Sequence, residues 1–403
     1  MTDTAPDFHA TGRPALMRQD ALRQLDFFRA SLRPGGRLAT LAQDGTPKDG
    51  PQELITTTRL VHSYGLGQIA GAPDCADIVD AGMAALRGGH ADGQHGGFVW
   101  SFDADGPVVG DKLAYGHMFV LLAAATAKAA GHPDADTLLA EVDAVIAERF
   151  WEEGRGLSAD EFRRDWSPFS EYRGMNANMH GVEAHLSAYE VTGQVHFLTR
   201  AERILAFFVD RMGASNGWRL PEHYDSDWQV DREYEGDPMF RPKGTTPGHS
   251  FELGRLLLQA WDLRGRPEGD APARARALIE TALADAAMPD GGFCYTLDFD
   301  GTKRVRDRYW WPLTEAIGAV ATLLKLDPRE ADAALYEDLW QQAERLFIDE
   351  ARGGWFPEID AGGRPVEIQF TGKPDIYHAL QADLYPLHGG LSRHYDGIAG
   401  ILT

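Results

Sequence analysis

The sequence predicts an all-α fold, an (α/α)6 barrel of six inner and six outer helices with short β-hairpins in the loops. Three observations predict it. A glycine-marked hairpin signature recurs six times along the 403 residues. Between copies lie two helix-like segments, one nearly all apolar and one amphipathic, as an inner and an outer layer require. No Pro/Ser-rich linker or low-complexity tract divides the chain, so residues 1–403 are expected to form a single domain. An open solenoid carries the same signature, so closure of the ring is an expectation.

The elements follow in order. An outer helix at 17–33 precedes GGRLATLAQDG (Gly35–Gly45), where alternation ending in a Gly turn reads as a hairpin. An inner helix at 55–69 and an outer one at 75–87 lead to GGFVWSFDADG (Gly96–Gly106). Segments 112–130 and 135–149 then precede GRGLSADEFRRDW (Gly154–Trp166), and 176–192 and 196–212 precede NGWRLPEHYDSDW (Asn216–Trp228). These two copies are degenerate, with longer middles. Segments 249–264 and 272–287 precede GGFCYTLDFDG (Gly291–Gly301), and 310–324 and 332–347 precede GGWFPEIDAGG (Gly353–Gly363). The last inner helix is 376–387. ARARALIETALADAA (Ala273–Ala287) shows the outer, amphipathic pattern well.

Composition narrows the function. With 43% hydrophobic residues the chain can bury a large core. A net charge of −22 opposes phosphate-backbone binding and an anionic membrane surface, so neither nucleic acid nor membrane is expected as a partner. Composition does not choose between a monomer and a homo-oligomer. The longest apolar stretch, Phe119–Ala130, holds Thr126 and Lys128 and falls short of the roughly 20 residues of a membrane span. The N-terminal MTDTAPDFHATGRPALMRQD has no apolar h-region. Two cysteines, Cys75 and Cys294, make neither a disulfide framework nor a Cys-rich zinc site. A cytoplasmic protein is expected.

Histidines mark the inner helices. His62, His117, His180, His249 and His378 recur at similar depth on helices one, two, three, four and six, and the fifth offers Trp310, Trp311 and Glu315. Arg59, Glu183, Glu252 and Gln381 lie one turn from a histidine, at i±3 on the same face. A single histidine on an apolar helix is ordinarily a hydrogen-bonded core residue, but five in register suggest polar groups converging on one end of the barrel, where pockets form. His180 and His185 lack zinc spacing and HExxH is absent, so no metal is expected. No GxGxxG follows a predicted strand and no GxxxxGK[ST] occurs, so no cofactor is expected. The acid-rich Glu222–Asp237 reads equally as a lid or as a solvated charge run.

RGMNANMHGVEAHL (Arg173–Leu186), TTPGHSFELGRLLL (Thr245–Leu258) and PDIYHALQA (Pro374–Ala382) resemble the N-acylglucosamine 2-epimerase superfamily. They are most similar to its mannose isomerase and sulfoquinovose isomerase branch. The resemblance spans about Arg59 to Pro386. It implies a metal-free aldose–ketose isomerase acting on a monosaccharide through ring opening and a cis-enediol. The catalytic histidines would be His249 and His378, with Glu252 beside the first. Arg59, Asn176 and His180 would hold the sugar, as would His117 by its register, with Phe240, Trp311 and Tyr377 as aromatic contacts. Imidazole, titrating near 6.5, both takes and returns a proton at neutral pH.

A 2-epimerase on the same scaffold, with His249 as a second base, is the near alternative. A sulfonated sugar would need a further cation, for which Arg241 and Lys243 are candidates. A glycoside hydrolase would need two carboxylates across the bond, for which Glu222, Asp225, Asp227 and Asp231 are available.

Overall fold

The computed structural model describes residues 12–403; the N-terminal segment read for a leader lies mostly outside the described residues. Six inner helices form a ring: α2 (Leu54–Ala70), α4 (Ala114–Ala129), α6 (Met175–Thr192), α8 (Pro247–Leu263), α10 (Trp310–Leu326) and α12 (Tyr377–Leu384). Around them run α1 (Arg13–Phe28), α3 (Ala76–Ala85), α5 (Ala135–Val145), α7 (Val195–Leu205), α9 (Ala271–Ala286) and α11 (Glu330–Leu346). A last turn, α13 (His394–Gly397), lies in the C-terminal segment.

Burial separates the layers as the patterning dictates. From Met118 to Ala127 every residue of α4 is buried, so this helix has no solvent face. On α11 only Tyr336, Leu339, Trp340, Ala343 and Leu346 are buried, the stripe of a half-exposed helix. Among the described residues no helix is long and apolar enough to cross a membrane.

The loops differ from simple hairpins. Strand pairs of two to four residues do close within repeats, as at Ser101–Asp103 with Gly106–Val109 and Thr296–Leu297 with Lys303–Val305. Other pairs run across repeats, joining the residues before one inner helix to the next loop. Gln52–Glu53 pairs with Ser101–Phe102, Lys112–Leu113 with Glu161–Phe162, and Arg173–Gly174 with His223–Tyr224. Thr245 bridges Leu297, Arg308–Tyr309 pairs with Glu358–Ile359, and Lys373 bridges Leu41. That last bridge joins the sixth repeat to the first, so the ring is closed and the solenoid alternative falls. Gly372 makes the seam possible: its φ is +76°, and a Cβ there would meet the Leu41 carbonyl at 2.0 Å.

Several helix boundaries moved, and the first outer helix runs Arg13–Phe28 instead of 17–33. The last inner helix stops at Leu384 because Pro386 cannot continue it, and a short 3-10 turn replaces its end. Three outer helices end in wider π turns, at Leu86–His90, Ile146–Phe150 and Ala206–Gly213, which the patterning did not foretell.

Candidate active site

The N-terminal ends of the inner helices and the ladder loops enclose a cavity of about 240 Å³. Six helix N-termini, the positive ends of their dipoles, therefore ring the space. Into it project Arg59, Asn176, His180, His249, Glu252, Trp311 and His378, all expected at the site. Phe240 also lines it from the loop, at the mouth, and is 67% exposed.

Each of the two histidines nearest the expected chemistry is held by a carboxylate. His249 Nδ1 lies 3.0 Å from both oxygens of Glu222, which also accepts the Thr246 amide at 3.1 Å. His378 Nδ1 lies 2.8 Å from Glu315 Oε1. A carboxylate at Nδ1 assigns the proton there and leaves Nε2 as the acceptor facing the cavity. Both rings tilt against one indole: His249 sits 5.2 Å from Trp311 at 31°, His378 5.8 Å at 33°. Gly248 permits this, since a Cβ there would strike Trp311 at 2.2 Å.

Several other polar atoms lack a hydrogen-bond partner within the protein. Both Glu252 oxygens, Asn176 Oδ1, His180 Nδ1 and Arg59 Nε are buried without a hydrogen bond. Buried polar groups are ordinarily satisfied, so such a cluster in one cavity marks where a ligand supplies the bonds. Burial, reinforced by Glu315 and Glu183, pushes the Glu252 carboxyl well above the usual range and so favours its protonated form. Burial lowers His180 to about 4, leaving it neutral. Arg59 pairs with Asp375 at 2.5 Å, donates to the Tyr115 hydroxyl at 2.9 Å and lies over the Phe119 and Tyr377 rings.

Two expected contacts are displaced. His117 lies outside the cavity: its Nε2 accepts the Phe98 amide at 3.1 Å and its Nδ1 donates to the Leu113 carbonyl at 2.8 Å. Register misled because Tyr115, two residues earlier and so about 200° round the helix, is the α4 residue that faces inward. Tyr377 lies behind the lining, its hydroxyl on Glu183 and its ring 4.6 Å from His378. His62 is deeper still, bonded to Thr126 at 2.6 Å and Gln381 at 3.0 Å.

Sequence reasoning gave Glu252 the task of orienting His249; Glu222 performs it. Glu222 is buried and leads into the buried strand His223–Tyr224, whereas Asp225, Asp227 and Asp231 are exposed, so the acidic segment is neither wholly lid nor wholly charge run. The missed signal was a Pro–Glu pair at the same place in two repeats, Pro221–Glu222 and Pro357–Glu358. His180, Glu183 and Glu252 could hold a metal, their ligand atoms lying within 4.8 Å of one another. Both Glu183 oxygens, however, are engaged by Tyr377 and Gln381.

A closed helical barrel with two carboxylate-held imidazoles and a buried carboxyl in its funnel has the architecture of an (α/α)6 enzyme. The model of the N-acylglucosamine 2-epimerase (GlcNAc 2-epimerase) family matches residues 36–382, and the chain belongs to that family. It is 40% identical over 382 residues to a D-mannose isomerase of Thermobifida fusca, covering 93% of this chain and 94% of that one. A D-mannose isomerase of Pseudomonas cannabina pv. alisalensis is 39% identical, covering 87% and 85%. Among solved structures, a D-mannose isomerase superposes with a TM-score of 0.86 at 28% identity, covering 94% of this chain and 98% of that one. The cellobiose 2-epimerase of Spirochaeta thermophila DSM 6192 shares the fold, with a TM-score of 0.82 at 22% identity, covering 96% and 99%.

Proposed function

We propose that the protein is a single-domain, metal-independent aldose–ketose isomerase that interconverts D-mannose and D-fructose in the cytoplasm, without nucleic-acid or membrane partners. The observation that carries this is the pair of imidazoles, each fixed by a carboxylate at Nδ1, facing one cavity beside a protonated Glu252. Likeness to the two D-mannose isomerases supports the substrate. The cavity, about 240 Å³, is smaller than the roughly 300–1,000 Å³ of drug-sized sites, which suits one hexose. Two buried free cysteines suit a reducing compartment.

The steps follow from the geometry. His249 and Glu252 move protons at the ring oxygen and O1, opening the pyranose. His378 Nε2 removes the C2 proton; those electrons form the C1–C2 double bond while O1 takes a proton. The cis-enediol then loses its O2 proton, the C2 carbonyl forms, and His378 returns its proton to C1. Arg59, Asn176 and His180 bind hydroxyls and stabilise the charge developing on the enediol oxygens.

Two alternatives lose support. Arg241 is committed to Glu161 at 2.6 Å and Lys243 to Glu233 at 2.8 Å, away from a sulfonate's reach. Among the described lining residues Arg59 is the one Lys or Arg, against Glu53, Glu222 and Asp375, which disfavours an anionic sugar. The hydrolase acids Asp225, Asp227 and Asp231 do not line the cavity. A 2-epimerase stays close, because the two imidazoles are equally equipped as bases. The test is the first product from mannose after dialysis against EDTA. Fructose at undiminished rate supports the proposal; glucose appearing first, or activity restored by one divalent ion, overturns it.

A further inference from the structure

The barrel axis below the cavity holds three carboxyl groups, Glu183, Glu252 and Glu315, all buried. Arg255, one turn beyond Glu252 on α8 and itself buried, lies among them. Its Nη2 donates to Glu315 Oε2 at 3.3 Å, while Glu315 Oε1 takes His378 at 2.8 Å. Glu315 is thus a bridge, guanidinium on one oxygen and imidazole on the other. The other arginine on the axis, Arg59, is taken by Asp375.

We infer that Arg255 is a positioning residue of this site: its charge keeps Glu315 an anion behind His378, so that His378 stands ready as a neutral base. One guanidinium cannot hold three close carboxylates ionised, and the site requires one of them protonated. Burial opposes ionisation of Glu315, and Arg255 followed by His378 brings it back below the usual carboxylate range. Glu252, with no hydrogen-bond donor of its own, keeps its proton. The proton that the acid step needs and the lone pair that the base step needs are therefore set by one cation that lines no part of the cavity.

The groups around His378 bound the argument. From α8 it faces His249, Glu252 and Arg255; from α10, Glu315. From α6 come His180 and Glu183, and from α2, Arg59 and His62; on its own stretch are Asp375 and Tyr377. Without Arg255 this interior gains a net negative charge and takes up a proton. Whether that proton sits on Glu315 or on His378, it must leave before His378 Nε2 accepts one from C2. Loss of a neighbouring positive charge favours the protonated form of either group, so the sign is the same in both cases.

This rests on the reading of His378 as the base. The test is the pH profile of kcat/KM for mannose in Arg255→Met and Arg255→Lys, with folding checked by circular dichroism. In Arg255→Met the acid limb should move up by on the order of one pH unit. At neutral pH kcat/KM should fall a few-fold, approaching tenfold only on the acid side, and Arg255→Lys should return the limb to its wild-type position. A folded Arg255→Met enzyme whose limb stays put or moves down overturns the inference, whatever its rate. Should Arg255→Met fail to fold, a Lys variant with an upward-shifted limb overturns it equally. If His378→Ala keeps its activity, the underlying reading fails instead, so the two failures are distinguishable.

Discussion

His249 and His378 are attached alike but not equivalently. Glu222 behind His249 is balanced by a backbone amide, whereas Glu315 behind His378 is balanced by a guanidinium. Removing either imidazole should abolish turnover with the fold intact: His378→Ala or His249→Ala should lower kcat by about 10²–10⁴-fold, the range general acid–base catalysis supplies. A folded His378→Ala protein keeping more than about a tenth of wild-type kcat would remove it as the proton shuttle. Glu315→Gln should also lower kcat, by roughly 10²-fold with KM little changed, because an amide can donate to Nδ1 and impose the other tautomer. Steady-state kinetics on mannose would read both numbers. At this scale register was a partial guide, since His62 and His117 share it and lie outside the cavity. Arg59, His180, His249, Glu252 and His378 fell on equivalent turns, and all line the cavity. Glu222 was not legible as an orienting group because it opens a run of solvated acids.

The twelve barrel helices were legible because burial on all sides and burial on one side leave different periodicities. The ladders between repeats were not, since two-residue strands carry no period and their partners lie a repeat away. The seam at Leu41 and Lys373 is the clearest case. It stands two residues before Asp375, which holds Arg59, so the closure of the ring and the shape of the site are linked. Gly372→Val should therefore do two things. Positive φ and the clash with the Leu41 carbonyl should destabilise the fold by about 1–3 kcal/mol, read as a lower Tm. The displaced Asp375–Arg59 pair should raise KM for mannose several-fold. An unchanged Tm would mean that the seam contributes nothing.

Over the whole molecule, buried titratable groups set the pH range in which the barrel stands. Burial lowers His62, His90 and His180 to about 4 and His117 and His388 to about 3, and also lowers His185, His223 and His394. Below 6.5 the unfolded chain binds protons that these folded histidines refuse, so stability falls as pH drops from 6.5 toward 4. Asp160 and Glu190, both raised to about 7, act oppositely, their contribution being lost as pH rises from their ordinary values through 7. Asp20, Glu252 and Asp383 share that sign. Eight histidines are set against five carboxyls, so Tm should fall between pH 7 and pH 5. Scanning calorimetry across that range would check it; a flat or rising Tm would mean that the histidines do not dominate.

One base serves two carbons in this mechanism, and the position of a deuteron tests it. Mannose incubated with the protein in heavy water and followed by proton NMR should give fructose first. Deuterium should enter at C1 of that fructose, on one face. Glucose as the first product, deuterated at C2, would contradict the account and make His249 a second base across the ring.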